Sequence, residues 1–459
     1  MITKLLLQNF KSWREIENIR LAPITGLFGS NSSGKTSILQ LLLMLKQTAE
    51  STDRTQVLNL GDDRTLVELG TFKDIIYNHT KESLLKCGLT WELKKELKVA
   101  DPEHKGKFIF EGDNLEFQSE IEENGAGRIA VDKMGYTFAS HQFGMERKTK
   151  QKNQYKLSHK KATGQSDFKF KHTVGRVWDL PAPVKCYGFP DQVKAYYQNA
   201  GFLSDIQLAF EELFSNVYYL GPLREYPKRQ YTWAGAQPAD MGRRGEKVID
   251  AILASRERNQ TISRGKRLKR LTVEEYVAHW LRELGMIHDF FVEQITEGSN
   301  LYRVWVRKSP NSANVLITDV GFGVSQILPV ITLCYYVPEG STILMEQPEI
   351  HLHPTVQAGL ADVFIDAIKT RKVQIVLESH SEHLLRRLQR RIAEEQLSSE
   401  NAALYFCEMV DGRSRLRNLD IDLMGRITNW PDGFFGDEFG EMAAMTKAMQ
   451  ERRMKGQEN

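Results

Sequence analysis

One short stretch constrains this chain more than any other. Gly29-Ser30-Asn31-Ser32-Ser33-Gly34-Lys35-Thr36 has the spacing GxxxxGK[ST]. The apolar run ITGLF at 24–28 before it reads as a buried strand, and residues 36–47 after it carry Leu, Ile and Met at helical spacing. A glycine-bearing loop between a buried strand and a helix N-terminus offers backbone N–H groups and the positive end of the helix dipole, so the expected ligand is a phosphate. In that setting Lys35 would neutralise β/γ oxygens and the Thr36 hydroxyl would hold Mg²⁺. The candidate nucleotide-binding residues are Asn31, Ser32, Ser33, Gly34, Lys35, Thr36 and Ser37, with ATP and Mg²⁺ as the expected cofactors. A chance glycine turn is the plain alternative, and the strand–loop–helix context argues against it.

The metal side is expected late in the chain. STILMEQPEIHLHP, from Ser341, is an apolar strand ending in an acid, and a carboxylate there would reach Mg²⁺ beside Thr36 directly or through water. Thr36 and Glu346 are thus the candidate metal residues. Hydrolysis also needs a group to orient or deprotonate water. Gln347 is adjacent and Glu349 follows closely, but an amide can only align water, not take its proton. After the next expected strand, 373–378, LESHSEHLL puts His380 where it could meet the γ-phosphate or the attacking water. The catalytic candidates are Glu346, Gln347, Glu349 and His380. His351, His353, His380 and Glu382 could instead suggest zinc, but a nucleotide site at the strand C-termini of an open α/β sheet accounts for the same groups. A further glycine loop, Asp319 to Gln326, leads into a helix expected at 325–336. Its Gly321, Gly323 and Ser325 are candidates for a second phosphate contact, although such a loop alone is a common turn.

Composition narrows the remaining classes. With 62 Lys+Arg against 59 Asp+Glu, the formal charge is +3, which excludes binding to nucleic acid by bulk charge alone. The four cysteines are far apart and form no CxxC, so reduced thiols in a cytoplasm are expected. The start of the chain lacks the layout of a signal peptide, and the apolar 38–45 stretch is too short to span a bilayer. Helices are expected at 354–369 and 382–395. Between the two motif regions, FIFEG and LEFQSEI read as antiparallel strands. Residues 145–172 then hold Arg147, Lys148, Lys150, Lys152, Lys156, Lys160, Lys161, Lys169 and Lys171 against Glu146 and Asp167. A second basic cluster, Arg256, Arg258, Arg264, Lys266, Arg267, Lys269 and Arg270, precedes the expected helix TVEEYVAHWLRELG. Such runs are solvated faces more often than nucleic-acid sites, and few aromatics interleave with these charges.

The order of motifs, phosphate loop, glycine/serine loop, EQPEIHLHP and ESHSEHLL, resembles the ABC-type ATPase heads of the SMC, RecF and OLD superfamily. LLLQNFKSWREIENIRLAPITGLFGSNSSGKTSILQ is closest to the RecF/OLD style, and YYLGPLREYPKRQY (218–231) and WPDGFFGDEF (430–439) look like features of a prokaryotic subgroup. The resemblance implies an α/β fold: a P-loop NTPase of ABC-ATPase type, a mixed sheet flanked by helices, with a β-rich and helical insert. The head would comprise 1–80 and 301–459, with the insert at 81–300. It also implies ATP sandwiched between copies, Gly321, Gly323 and Ser325 of one meeting the γ-phosphate at Lys35 of another, hence a homo-oligomer. Where such heads carry an acid pair, this chain has Glu346-Gln347, so either Glu349 supplies the base or the ATPase is slow. His353 stands where an Asp is common. The stretch after His380 shows no Toprim nuclease pattern, and the insert lacks SMC heptads. The chain therefore resembles the ATPase subunits of antiphage systems such as Septu or PARIS. The partner implied is a separately encoded nuclease or toxin effector, with no membrane. The rival is a RecF-like repair ATPase acting on DNA.

Overall fold

The structure, a computed structural model, describes residues 1–80, 83–100, 106–124, 127–149, 152–162, 168–175, 178–265, 268–431, 442 and 444–450. Lys150, Asp167, Lys266, Arg267, most of the 430–439 motif and the 451–459 tail lie outside them.

The apolar runs at both ends of the chain meet in one six-stranded sheet. Its order is Arg413–Asn418, Ala402–Val410, Ile24–Gly29, Gln374–Glu378, Thr342–Glu346 and Val217–Leu220. The last five are mutually parallel and the first pairs antiparallel, so the sheet is mixed. Its inner strands are buried on both faces, which is why they read as continuous rather than alternating apolar runs. Alternation still decides which core each side chain enters. Leu27, Tyr219, Leu344 and Val376 join helix Lys35–Glu50 and helix Leu203–Ser215 in one core. Phe28, Ile343, Met345, Ile375 and Leu377 face the opposite core, built with helices Val248–Glu257, Val273–Glu283, Phe322–Tyr336, Pro354–Arg371 and Glu382–Ala393. This is the α/β P-loop architecture of ABC type, a mixed sheet flanked by helices.

A second, wholly antiparallel sheet of seven strands runs Trp13–Arg20, Ile2–Phe10, Leu85–Ala100, Phe108–Glu123, Ile129–Phe138, His141–Thr149 and Lys152–Lys161. The first strand of the chain pairs directly with Leu85–Ala100, setting Leu7 opposite Cys87, so segments 1–80 and 81–300 share one sheet. Conversely Val217–Leu220, from within 81–300, forms the edge of the P-loop sheet. Gln374 fastens the two sheets. Its buried amide accepts from Ile2 N (3.0 Å) and Thr342 Oγ1 (3.1 Å) and donates to the Ile2 and Ala22 carbonyls.

FIFEG and LEFQSEI form a single strand, Phe108–Glu123, rather than two. The turn-forming Gly112-Asp113-Asn114 between them is carried inside it, opposite an irregularity between Glu92 and Leu97 of the partner strand. The basic run at 145–172 is largely two strands, and three of its charges, those of Arg147, Lys148 and Lys156, meet nearby acids. Glu146 pairs with Lys133 (3.4 Å) and Lys156 (3.2 Å), Arg147 with Glu122 (2.7 Å), and Lys148 with Asp179. In the second cluster Arg256 pairs with Glu274, Lys269 with Glu275, and Arg258 stacks on Tyr336. All four cysteines are buried free thiols. Among the described residues no helix is long and apolar enough to cross a membrane.

Candidate functional site

The phosphate loop begins where strand Ile24–Gly29 ends. Gly29 has φ +132°, and a Cβ there would lie 2.0 Å from the Cys407 carbonyl oxygen on the adjacent strand, so the position requires glycine. Gly34, at φ +91°, is the N-cap of helix Lys35–Glu50 and is packed under Ser12, Ser414 and Trp13. The Trp13 indole donates to the Gly34 carbonyl (2.9 Å), and Ser414 bonds Ser12 (2.6 Å). The turn after the first strand and the late Ala402–Asn418 hairpin thus clasp the loop from both ends of the chain. The helix has no side-chain cap and no acid in its first turn, which leaves its positive end for an external anion. Asn31 and Ser32 are exposed; the Ser33 hydroxyl is fully buried and has no hydrogen-bond partner.

Lys35 is 2 % exposed, and its Nζ donates to the carbonyls of Gly29 (3.2 Å) and Ser30 (2.7 Å). Burial lowers its pKa, against an opposing contribution from Glu378. The Thr36 hydroxyl donates to Glu378 Oε2 at 2.7 Å, and Glu378 Oε1 lies 3.9 Å from Lys35 Nζ. Glu378 ends the strand beside the P-loop strand, in register with Glu346 on the strand beyond. Two buried carboxylates therefore stand side by side at the C-terminal edge of the sheet, where ligands of open α/β sheets bind.

Glu346 is held from its other side. The Tyr219 hydroxyl donates to Glu346 Oε1 (2.8 Å), and Arg224 reaches the Glu346 carbonyl at 3.4 Å while its Nε and one terminal nitrogen are buried without a partner. Burial raises the Glu346 carboxyl to about 7; Glu378 adds to the rise, and the Tyr219 hydrogen bond, Arg224 and Lys11 oppose it. A carboxyl raised in the folded state keeps a proton that the unfolded chain releases near its ordinary value. The metal-free protein therefore loses stability as pH climbs from about 4.5 to about 7, and not beyond. Glu346→Gln keeps an acceptor for Tyr219 but cannot charge, so its melting temperature relative to wild type should be higher at pH 8 than at pH 5. The same difference at both pH values in thermal unfolding would refute the cost assigned to Glu346.

Gln347 turns out of the strand at φ +44°, its backbone N–H donating to the Glu378 carbonyl (2.9 Å). Glu349 is buried. Its Oε1 accepts the His380 amide (2.7 Å) and its Oε2 has no partner, so it braces the turn that carries His380. The His380 ring is half-buried; burial and Lys35 lower its pKa, and the neighbouring Gly29 backbone opposes them. Thr36, Glu346, Gln347, Glu349 and His380 are thus gathered around one strand edge. The Gly321 loop has other neighbours. Gly321 caps helix Phe322–Tyr336 and is exposed, Gly323 lies against Met286 and Leu352, and the Ser325 hydroxyl is spent on the Phe322 carbonyl. Phe322 is exposed and contacts the rings of Tyr226 and His351. His353 accepts from Thr355 N as the cap of its helix. Among the described residues no group of three or more His, Cys, Asp and Glu is placed to hold a metal, so the zinc alternative finds no cluster.

Sequence reasoning passed over Glu378, Tyr219, Arg224 and Trp13. All four lay inside motifs already singled out, and a buried-strand pattern ending in a second acid was the available signal for Glu378.

A family model described as an AAA ATPase domain matches residues 1–179 and 248–385. The chain belongs to that family. Tyr219 and Arg224, which hold Glu346, lie in the stretch between the two matched segments. A family described as a protein of unknown function (DUF3696) matches 397–445, the segment that includes the hairpin over the P-loop. No curated protein matches the sequence. Among solved structures, the chain is similar to an Smc head bound to the C-winged helix domain of ScpA (TM-score 0.46, 11 % identity, 92 % of this chain and 98 % of that one). It is also similar to the SMC head domain from Thermotoga maritima (0.41, 12 %, 92 % and 99 %). An Smc head with an extended coiled coil, bound to the C-terminal domain of ScpA derived from Pyrococcus furiosus, is a third (0.45, 11 %, 91 % and 96 %).

Proposed function

We propose that this AAA ATPase domain protein binds ATP with Mg²⁺, hydrolyses it slowly, and uses it to join copies of itself. The observation that carries the reading is the convergence of Lys35 and Thr36 on Glu378, with Glu346 in register beside it, under an uncapped helix N-terminus. The buried, unpartnered Ser33 hydroxyl and the acceptor-only carboxylates suit a phosphate and a hard cation respectively. Bound Mg²⁺ would neutralise charge on the β and γ oxygens. Around it, Lys35 would hold phosphate, Thr36 would meet the metal with Glu346, one strand further off, reaching it through water, and His380, braced by Glu349, would address the γ-phosphate from the neighbouring strand end. Gln347 aligns water without deprotonating it, which suits a slow switch rather than a fast hydrolase.

Assembly is supported by the exposure of Gly321 and of the Tyr226–Phe322 pair beside it, a loop open to a second copy's nucleotide. Following the resemblance, the assembled form would hold or release a separately encoded nuclease or toxin effector in bacterial antiviral defence. The alternative, a RecF-like ATPase on DNA, finds less support, because Arg147, Lys148, Lys156, Arg256 and Lys269 of the basic runs are already engaged by neighbouring acids. Light scattering tests the core of the proposal. ATP should raise the mass of the wild type to at least a dimer. In Gly321→Glu, where a Cβ would meet nothing within 4 Å in its own copy, ATP should still bind but leave the mass unchanged. A wild type whose mass ignores ATP would defeat the assembly reading.

A further inference from the structure

The residue facing the P-loop hydroxyl is not the acid of the EQPEIHLHP strand. Sheet order decides this: strand Gln374–Glu378 lies between the P-loop strand and strand Thr342–Glu346, so Glu378 is one strand nearer to Thr36 than Glu346 is. The side chains follow. Glu378 gives Oε2 to Thr36 at 2.7 Å and Oε1 toward Lys35 at 3.9 Å, whereas Glu346 is drawn toward the sheet edge by Tyr219 at 2.8 Å. A hydroxyl and two in-register carboxylates make an all-oxygen donor set. Mg²⁺ bound with a nucleotide takes one or two carboxylates and completes its shell with phosphate oxygens and water. Independently, the Ser33 hydroxyl in the same loop is fully buried with no partner, a group left for a ligand of the loop.

We propose that Glu378 is the carboxylate that couples Mg²⁺ to nucleotide binding: it pairs with Lys35 and Thr36 in the free protein and becomes the metal's nearest protein carboxylate when nucleotide enters. This rests on the ATP-binding reading above. Without Mg²⁺, the Glu378 charge faces the incoming phosphates and opposes them; with Mg²⁺, it attracts the complex. A neutral isostere removes both effects, so the difference between metal-free and metal-bound nucleotide should collapse. Glu346→Gln, one strand further away and tied to Tyr219, should keep most of it.

The experiment is binding of a fluorescent ATP analogue to the full chain in Mg²⁺ and in EDTA, with thermal unfolding as a folding control. Losing a charge-assisted ligand is worth about ten-fold in affinity, so the wild-type gain from Mg²⁺ should shrink by about ten-fold in Glu378→Gln and by less than about three-fold in Glu346→Gln. If Glu378→Gln does not fold, Glu378→Asp supplies the reading, because a shorter arm should still cut the Mg²⁺ gain by about three-fold or more. An unchanged Mg²⁺ gain in the folded Glu378 variant, or a larger loss in Glu346→Gln, overturns the role of Glu378 and leaves ATP binding intact. A wild type that binds no nucleotide in Mg²⁺ overturns the ATP-binding reading itself.

Discussion

Replacing Lys35 by alanine should lower ATP affinity by about 100-fold, the scale of losing two charge-assisted hydrogen bonds to phosphate. The effect is this large because, among the described residues, no second cation is in hydrogen-bond contact with the loop's carbonyls. Lys35 Nζ alone bridges the Gly29 and Ser30 carbonyls and faces Glu378, and it is buried where water screens little. Removing it also leaves Glu378 without its nearest counter-charge, so the anionic phosphates would approach an uncompensated carboxylate. Arginine would not restore binding, since a planar fork on a longer arm cannot occupy the space between two carbonyls that a compact ammonium fills. Calorimetric titration of ATP in Mg²⁺ into Lys35→Ala and wild type checks this, and a loss of less than about ten-fold would place the phosphate elsewhere.

The reach of the sequence can be judged at particular residues. The P-loop was legible because its chemistry is local: glycines at positive φ, a lysine and a threonine within one turn of a helix start. Helix Lys35–Glu50, helix Pro354–Arg371 and the buried strands around Glu346 and Glu378 were legible for the same reason, from periodicity and length. What local pattern could not supply was strand order. Whether Glu346 or Glu378 faces Thr36 depends on which strand lies next to Ile24–Gly29, a pairing across several hundred residues of sequence. Tyr219 and Arg224 were hidden likewise, in a stretch that reads as insert yet contributes the sheet's edge strand. Trp13 and Ser414, from opposite ends of the chain, meet over Gly34 only once both sheets are built. The helix after the second glycine loop starts at Phe322 instead of near Ser325, because Gly321 rather than a polar side chain caps it.

The amide at position 347 sets the expected speed of hydrolysis. Gln347→Glu should raise kcat by about 100-fold with KM changed little, because a positioned general base contributes about 10²–10⁴ and the substitution adds a proton acceptor without adding volume. The backbone favours the change: Gln347 holds φ +44° with its backbone N–H tied to the Glu378 carbonyl, a bond the substitution keeps, and glutamate has the same length and branching. The electrostatics favour it too. A new carboxylate beside Glu346 and near Glu378 would be pushed upward by its like-charged neighbours, toward the neutral range where a base works best. Glu349 cannot substitute as readily, since one of its oxygens already holds the His380 amide and the side chain is buried. Single-turnover hydrolysis separates this from altered binding or release. A Gln347→Glu rate equal to wild type, together with a collapse in Glu349→Gln that leaves the melting temperature unchanged, would make Glu349 the base and the amide at 347 incidental.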